Sequence, residues 1–312
     1  MKRRSLWNKL FRVFTLVTAF VLLGTVGLQA QAAGGVTLGI NWMESKDLGI
    51  LPPKVDVPIL MYHNLVEDEN DPSISKDTMW VGQFRREMEL LEENGFHTIS
   101  LDQLIALAEL GKALPEKPVL LTFDDGYSSV YELAFSILKE MNMQAVVFPI
   151  GVSVGKNTYK ETGIPITPHF TWEQAKEMSD SGLVSIQSHT YDMHQVAQFE
   201  GASASKTLRP NILRRPWETE KEYAQALLQD LNHSREDIQK FTGQTVTALS
   251  YPSGSYDALS EKLLASYGIK CTFTIHSGKA TIQPGDPDSL FALNRFYVQS
   301  STTDEEFLKW IK

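Results

Sequence analysis

An amphipathic helical segment, a glycine and an apolar strand follow one another repeatedly along this chain, and that order constrains the fold more than any other feature. One unit runs from Phe84 through Gly95 to Ile99, and another runs from a helix start at Thr171 to Gly182 and the strand after it. Helices that alternate with apolar strands are typical of a largely parallel sheet covered by helices. About eight strand candidates favour a distorted or incomplete (β/α) barrel over an open sheet. We therefore predict an α/β fold in a single domain.

Residues 1–33 predict a secretory signal peptide rather than a part of the fold. A basic start precedes an apolar run over residues 14–28, and Ala30-Gln31-Ala32 matches a small-x-small cleavage pattern. An uncleaved anchor is the alternative, but the run is short for a membrane span of about 20 residues. We expect a secreted or cell-surface bacterial protein that keeps no lasting membrane span if the signal is cleaved.

Residues 34–55 have weak periodicity and predict a lead-in segment, so the folded domain is expected over residues 56–312. Within that domain, residues 195–242 interrupt the alternation with Gly, Ser, Arg and Pro, and then with a long polar helix that starts at Thr219. We interpret 195–242 as an insertion that follows a strand end and forms a wall of the site.

Charge and cysteine content exclude several classes of function. The formal net charge is -9 at pH 7, and the basic start makes the processed chain more acidic still. An acidic exported protein lacks the electrostatic footprint for binding nucleic acid or anionic membranes. A single cysteine, Cys271, excludes an internal disulfide and a cysteine-based zinc site, and its strand-like surroundings predict a small buried side chain. The oligomeric state is left open.

Two adjacent carboxylates, Asp124 and Asp125, follow the apolar run 119–121 where a strand is expected to give way to a turn at Gly126. In a regular strand they would point to opposite faces, whereas a break in the pleat lets both reach one centre. Two close carboxylates repel each other unless a cation or a proton neutralises them. A divalent metal held by one aspartate, with the other left as general base, is one solution. A surface turn is the alternative.

His189 and His194 follow a second strand, residues 183–187, and so lie at an equivalent strand end. On a helix this spacing would turn the two rings about 140° apart, which does not suit one metal ion, but an irregular loop removes that restriction. Two imidazoles and one carboxylate form a ligand set with open positions for water and substrate. Solvated loop histidines are the alternative. His63 also ends an apolar strand, residues 57–61.

Two further strand ends carry polar residues. The Tyr-Pro-Ser-Gly turn at 251–254 follows the strand 246–250 and offers backbone N–H groups beside a helix start, where an anion would bind, although it could also be an ordinary turn. Arg295 lies in the apolar run 292–298. An arginine in such a strand needs an anion, and the aspartate pair is the obvious one. A surface-facing arginine is the alternative.

In combination, the Thr-Phe-Asp-Asp-Gly motif at 122–126, the loop with His189 and His194, and the turn at 251–254 resemble the first three motifs of the polysaccharide deacetylases, carbohydrate esterase family four. The resemblance spans about residues 57–298, most of the processed chain. It implies an incomplete (β/α) barrel and a polysaccharide substrate.

The resemblance also implies roles for individual residues. Asp124 would be the general base, and Arg295 would orient it. A divalent metal, often zinc in this family, would be held by Asp125, His189 and His194. Contacts to the substrate would come from the third motif and its surroundings, at Tyr251, Pro252, Ser253 and Tyr256.

The sequence departs from the family pattern in two ways, and both departures resemble the sequences of one subgroup. The histidine motif has one residue more than usual, and no late leucine-x-histidine motif is clear, since His276 fits it poorly. Both features resemble the deacetylases of poly-β-1,6-N-acetylglucosamine, an exported biofilm polymer. In that subgroup the acid histidine comes early, in a pattern like Met61-Tyr62-His63, so His63 is the expected general acid. Ser253 stands where a tyrosine is usual, which keeps a backbone N–H but removes a stacking surface.

The sequence therefore predicts an exported metal-dependent hydrolase that removes N-acetyl groups from N-acetylglucosamine-containing polysaccharide. The poly-β-1,6 polymer is one candidate substrate. Peptidoglycan, chitin-like oligomers and O-acetylated sugars are alternative substrates. A catalytically inactive glycan-binding protein is an alternative of another class, which the complete set of metal, base and acid residues disfavours. A serine hydrolase is a further alternative.

Overall fold

Strands and helices alternate along the chain in the computed structural model, which describes residues 52–200 and 207–312. The strands are β1 (Val55–Val57), β2 (Ile59–Tyr62), β3 (Asn64–Val66), β4 (Thr78–Trp80), β5 (His97–Thr98), β6 (Pro118–Asp125), β7 (Ala145–Pro149), β8 (Val184–Ile186), β9 (Ala248–Ser250), β10 (Cys271–Phe273), β11 (Ala280–Ile282) and β12 (Phe296–Tyr297). The α-helices are α1 (Val81–Glu93), α2 (Leu101–Leu110), α3 (Phe135–Glu140), α4 (Trp172–Asp180), α5 (Glu220–Thr242), α6 (Ala258–Ser266) and α7 (Asp304–Ile311). The predicted signal peptide and residues 34–51 of the predicted lead-in lie outside the described residues.

Parallel strands form the centre of the fold. The larger sheet has the order β12-β2-β6-β7-β8, with β5 beside the start of β6, and β9 pairs in parallel with β10. Single parallel bridges, Ser188 to Leu249 and Phe273 to Leu293, connect this pair to the two ends of the larger sheet. The strands thus follow one another around a distorted (β/α) barrel, as the alternation in the sequence predicts.

Two hydrophobic clusters cover the two faces of the barrel strands. Leu121 and Val147 belong to a cluster with residues from α1 and α3 to α7, whereas their neighbours Leu120 and Val146 belong to a second cluster with residues from α2. Strands that are buried on both faces require near-continuous apolar sequence, which is what these strands show. Cys271 lies in the second cluster, fully buried, as its sequence context predicts.

The parallel register brings several strand ends to one edge. Tyr62 of β2 pairs with Phe123 of β6, and Asp124 of β6 pairs with Phe148 of β7. Residues that follow β2, β6 and β8 therefore emerge at the same end of the barrel. The candidate residues identified in the sequence fall at this edge, where α/β proteins place their sites.

Sequence signals for helix ends are confirmed. The hydroxyls of Thr171 and Thr219 accept backbone N–H groups at the starts of α4 and α5, each within a capping box. Asp257 caps α6 in the same way. A π-helical turn, Val130–Ala134, directly precedes α3.

The strand expected over residues 292–298 is much shorter than predicted. Ala292 has a φ of 55°, in the left-handed region, and the Arg295 N–H donates to the His276 carbonyl rather than to a ladder partner. Regular pairing begins only at Phe296, so β12 contains two residues. The apolar composition of 292–298 indicated burial correctly but did not reveal this break.

Among the described residues, no helix combines the length and the apolar character that crossing a membrane requires.

We expect Thr171→Ala to lower the free energy of unfolding by about 1 kcal/mol, because the Thr171 hydroxyl accepts the Gln174 N–H at the start of α4. Thr167→Ala is the control, since Thr167 is exposed and precedes the helix. Urea unfolding followed by circular dichroism measures both variants. A Thr171 variant as stable as the control would contradict the assigned cap.

Candidate active site

The pleat of β6 breaks at its last residue, which lets two adjacent aspartates serve one centre. Asp125 has a φ of 68° and Gly126 a φ of 86°, so the left-handed conformation begins at the aspartate and continues into the glycine. A Cβ at position 126 would lie 2.7 Å from the Cβ of Pro149, which leaves no room for a side chain there. Gly126 is therefore required both for its conformation and for its contact with β7.

Asp124 forms a two-pronged ion pair with Arg295. The Arg295 Nη1 donates to Oδ1 at 2.8 Å and its Nη2 donates to Oδ2 at 2.7 Å, while the Ser250 hydroxyl also donates to Oδ2 at 2.9 Å. Arg295 is fully buried and Asp124 nearly so. The guanidinium also donates from Nε to the Thr274 carbonyl at 2.8 Å, so the surrounding strands hold it in place. The sequence expectation that Arg295 finds its anion at the aspartate pair is met in this geometry.

Opposite charge keeps Asp124 ionised. Burial alone would raise the pKa of Asp124, but the Arg295 guanidinium, with His189 and His63 nearby, holds that pKa well below its usual value. Asp124 is consequently a carboxylate throughout the neutral range.

Asp125, His189 and His194 form a cluster whose ligand atoms all lie within 4.8 Å of one another. The Asp125 Oδ1 lies 3.4 Å from the His189 Nε2 and 3.9 Å from the His194 Nε2. That Oδ1 is buried and has no hydrogen-bond partner. A buried carboxylate oxygen without a partner, facing two imidazole nitrogens, fits a divalent cation.

The tautomer of His189 suits metal binding. Its Nδ1 lies 2.9 Å from the Ser250 carbonyl oxygen, and because a carbonyl can only accept, Nδ1 carries the proton. The Nε2 lone pair is then free to face Asp125, an arrangement common among metal-bound histidines. Burial lowers the pKa of His189 to about 4, so the ring is neutral at pH 7.

The pKa of Asp125 also falls below its usual value. Burial works against this shift, but His63, His189 and His194 stabilise the carboxylate form. The loop between the two histidines is irregular, as the five-residue spacing predicts, and Thr190 within it has a φ of 69°.

His63 is half-buried at the end of β2, at the same edge of the barrel. Its ring packs against Tyr297 with 5.0 Å between centroids, and its Nδ1 is buried without a hydrogen-bond partner. Because Tyr62 pairs with Phe123 in parallel register, His63 and Asp124 are the next residues on neighbouring strands, and His63 lowers the pKa of both Asp124 and Asp125.

The third motif divides into buried and accessible residues. The Tyr251 side chain is fully buried, donates its hydroxyl to Glu261 and stacks on Tyr256 with 5.1 Å between ring centroids. Pro252 is also buried, whereas Ser253 is exposed with a φ of 54°. The Tyr251 and Pro252 side chains therefore pack inside the protein, and only Ser253 and Tyr256 offer side-chain surface to a ligand.

Sequence reasoning missed two residues of the site. Ser250 contacts both Asp124, through its hydroxyl, and His189, through its carbonyl. No feature of the sequence distinguishes Ser250 from any other serine in a strand. Tyr127 could have been found from the sequence, since it directly follows the aspartate motif. The Asp125 charge, together with burial, raises the pKa of the Tyr127 hydroxyl, and the Tyr127 ring packs against His169.

A Gly-x-Ser-x-Gly pattern occurs at residues 151–155 but does not form a nucleophile elbow. Ser153 lies in a short 3-10 turn, Gly151–Ser153, and is buried. An elbow would hold the serine hydroxyl exposed at a strained turn. The geometry gives the serine-hydrolase alternative no support.

Comparison with known proteins defines the family. The polysaccharide deacetylase family model matches residues 111–272, about half of the chain, including Asp124, Asp125, His189 and His194. The chain belongs to the polysaccharide deacetylase family.

Three similar proteins extend this match. The poly-β-1,6-N-acetyl-D-glucosamine N-deacetylase of Escherichia coli (strain K12) is 28% identical over 264 residues, which cover 81% of this chain but 38% of that protein. The chain thus corresponds to less than half of that relative. Bacillus subtilis (strain 168) YxkH is 30% identical over 256 residues, covering 82% of this chain and 76% of YxkH. The solved de-N-acetylase from Aggregatibacter actinomycetemcomitans has a TM-score of 0.68 at 25% identity and covers 82% of this chain and 100% of its own.

We expect Arg295→Ala to lower the free energy of unfolding by about 3–5 kcal/mol at pH 7, because it leaves the buried Asp124 carboxylate without its counterion. The double variant Asp124→Asn/Arg295→Met should lose less, since no charge remains unpaired. The folded-state pKa of Asp124 lies below its ordinary value of 3.8. The stabilisation is therefore present above about pH 4 and is lost as the pH falls towards the folded-state pKa.

Urea unfolding at several pH values measures these differences. Arg86→Ala, which removes exposed ion pairs with Glu89, Glu93 and Asp304, is the control and should have a smaller effect. An Arg295→Ala loss no greater than that of Arg86→Ala would contradict the pairing.

Proposed function

We propose that this protein is an exported, metal-dependent N-deacetylase of N-acetylglucosamine-containing polysaccharide. One observation carries the proposal: the Asp124–Arg295 pair and the Asp125, His189 and His194 cluster meet at one end of the barrel, where His63 also follows the neighbouring strand β2. Amide hydrolysis needs a base for water, an acid for the departing amine and stabilisation of the oxyanion, and these residue types can supply each.

The metal would be held by Asp125, His189 and His194, with zinc as the expected ion. A divalent cation at such a site polarises an amide carbonyl and lowers the pKa of water. The His189 tautomer, fixed by the Ser250 carbonyl, orients one ligand in advance.

Asp124 would take the proton of the attacking water. Its Oδ2 accepts two hydrogen bonds, from Arg295 and Ser250, whereas its Oδ1 accepts one, from Arg295. A carboxylate oxygen has two lone pairs, so Oδ1 keeps one for the proton. The lowered pKa guarantees the ionised form but makes the carboxylate a weak base, so the water must itself be acidified.

His63 would protonate the departing amine. Its half-buried position next to both aspartates and its unpartnered Nδ1 suit a group that exchanges protons with a substrate. The backbone N–H near Ser253 would donate to the developing oxyanion, and Tyr256 would contribute contact surface to the sugar.

The poly-β-1,6 polymer is the preferred substrate of this proposal. It is supported by the name of the Escherichia coli relative and by the early position of His63. The same proposal includes export through a signal peptide at 1–33 and a secreted or cell-surface location. It also includes a lead-in over 34–55 and a domain over 56–312 with an insertion at about 195–242. Peptidoglycan and chitin-like oligomers are competing substrates, and O-deacetylation is a competing reaction.

Release of acetate and free amine by the purified chain tests the activity. β-1,6 and β-1,4 N-acetylglucosamine oligomers and peptidoglycan would be offered with and without a chelator. Release from one substrate that the chelator abolishes and Zn²⁺ restores is expected. No release from any of them by metal-loaded protein would move the proposal to O-deacetylation or to glycan binding.

Asp124→Asn should remove nearly all turnover and leave metal binding intact, because it removes the base but not the Asp125, His189 and His194 ligand set. Asp102→Asn, on an exposed position of α2, is the matched control and should retain full activity. Initial rates and metal content measured on the same samples decide the outcome. Strong residual turnover would reject Asp124 as the base.

His63→Ala should lower kcat by about 10²–10⁴-fold, the usual contribution of a general acid. His97→Ala, an exposed histidine of β5, is the control. Because the general acid protonates the departing amine, His63→Ala should reduce kcat less for an activated ester substrate, whose leaving group needs no proton. Equal losses on amide and ester would assign His63 another role.

A further inference from the structure

The loop that carries His189 and His194 depends on other segments for its hydrogen bonds. The Ser188 and His189 N–H groups donate to backbone carbonyls of neighbouring strands, at 3.3 Å and 3.2 Å. The Thr190 N–H donates to the Ser188 hydroxyl at 3.0 Å, and the Met193 N–H donates to the Thr190 hydroxyl at 3.1 Å. The two amides between them, at the centre of the loop, are bound by a residue of α5.

That residue is Asp230. The Tyr191 N–H donates to its Oδ1 at 2.8 Å, and the Asp192 N–H donates to its Oδ2 at 2.7 Å. Asp230 is buried, so the two amides are the direct neighbours that stabilise its charge. The two oxygens of one carboxylate thus accept hydrogen bonds from two consecutive peptide N–H groups, midway between the two histidines.

Neighbouring residues on the same face of α5 add to this contact. The Ser234 hydroxyl, one helical turn from Asp230, donates to the Ser188 hydroxyl at 2.9 Å in a buried position. The His233 ring packs edge-on against Tyr191 with 5.1 Å between centroids. The helix therefore contacts the loop at several points through residues spaced three and four apart.

The loop needs such support because its backbone is strained. Thr190 has a φ of 69°, a conformation that a β-branched residue adopts only when surrounding contacts impose it. Metal ligands lose affinity when the groups that orient them are removed. A helix that fixes the peptides at 191 and 192 fixes the direction from which both histidines reach Asp125.

We propose that Asp230 is a positioning residue for the metal site, and that α5 acts as the clamp of the histidine loop. This role rests on the proposed function in assuming that His189 and His194 bind a metal. It gives the 195–242 insertion a purpose within the catalytic centre, in addition to any contact with substrate.

Asp230→Asn in the full chain tests the clamp. An asparagine amide has an NH2 donor in place of one carboxylate oxygen, so one of the two loop N–H groups would face a donor instead of an acceptor. We expect the dissociation constant for Co²⁺ to rise about 10–100-fold and the absorption spectrum of bound Co²⁺ to change. The Tyr191 and Asp192 amides should exchange hydrogen faster even in metal-free protein. Measurement at pH 8 keeps Asp230 ionised, because burial raises its pKa only to about 6.

Two control variants on α5 separate positioning from general stability. Glu236→Gln removes an exposed charge, and Ile238→Val weakens the buried packing of the helix, and neither touches the loop. Both should leave the Co²⁺ dissociation constant unchanged, although Ile238→Val should lower the Tm. Equal weakening of Co²⁺ binding by Ile238→Val and Asp230→Asn would overturn the proposal.

An unchanged Co²⁺ affinity and unchanged exchange in Asp230→Asn would also overturn it. If that variant does not fold, Ser234→Ala removes the neighbouring contact and should weaken Co²⁺ binding by a smaller factor, and no effect there counts against the clamp. Absence of Co²⁺ binding by the unaltered protein would reject the metal site itself. The exchange rates of the Tyr191 and Asp192 amides would still decide whether Asp230 holds the loop.

Discussion

The buried ion pair between Arg295 and Asp124 is the interaction on which the rest of the site depends. A carboxylate at this depth without a counterion would take up a proton or unfold its surroundings. The pair keeps Asp124 charged, and Ser250 adds a hydroxyl to the same carboxylate while its carbonyl sets the tautomer of His189. Asp124 and His189 are therefore linked through one serine, and a displacement of Ser250 would change the hydrogen bonds of both residues.

Much of the fold could be predicted because it rests on local signals. Alternating helices and apolar strands indicated the barrel, and the capping boxes at Thr171 and Thr219 marked helix starts that the structure confirms. The approach of Asp125, His189 and His194 could be anticipated for a related reason. Parallel strands end at one edge, so polar residues just after them meet without any knowledge of packing.

The features that escaped prediction arise from contacts between distant segments. The apolar run 292–298 looks like a continuous strand, yet Ala292 adopts a left-handed conformation and the Arg295 amide turns to His276. From the sequence, Tyr251 is expected to be an aromatic residue of a binding site. In the structure its side chain is buried and its hydroxyl donates a hydrogen bond to Glu261 on the next helix. Asp230 looks like any polar residue of an exposed helix, since only the docked loop reveals what its carboxylate binds.

The distance along the chain between Asp124 and Arg295, 171 positions, has a consequence for how this protein matures. Closing so long a loop is slow relative to forming local helices and hairpins, and it must wait until the C-terminal strand has been made. A nascent or truncated chain that ends before residue 295 contains Asp125, His189 and His194, yet its Asp124 carboxylate has no guanidinium partner. The Asp124–Arg295 pair can therefore form only after nearly the whole chain has been synthesised.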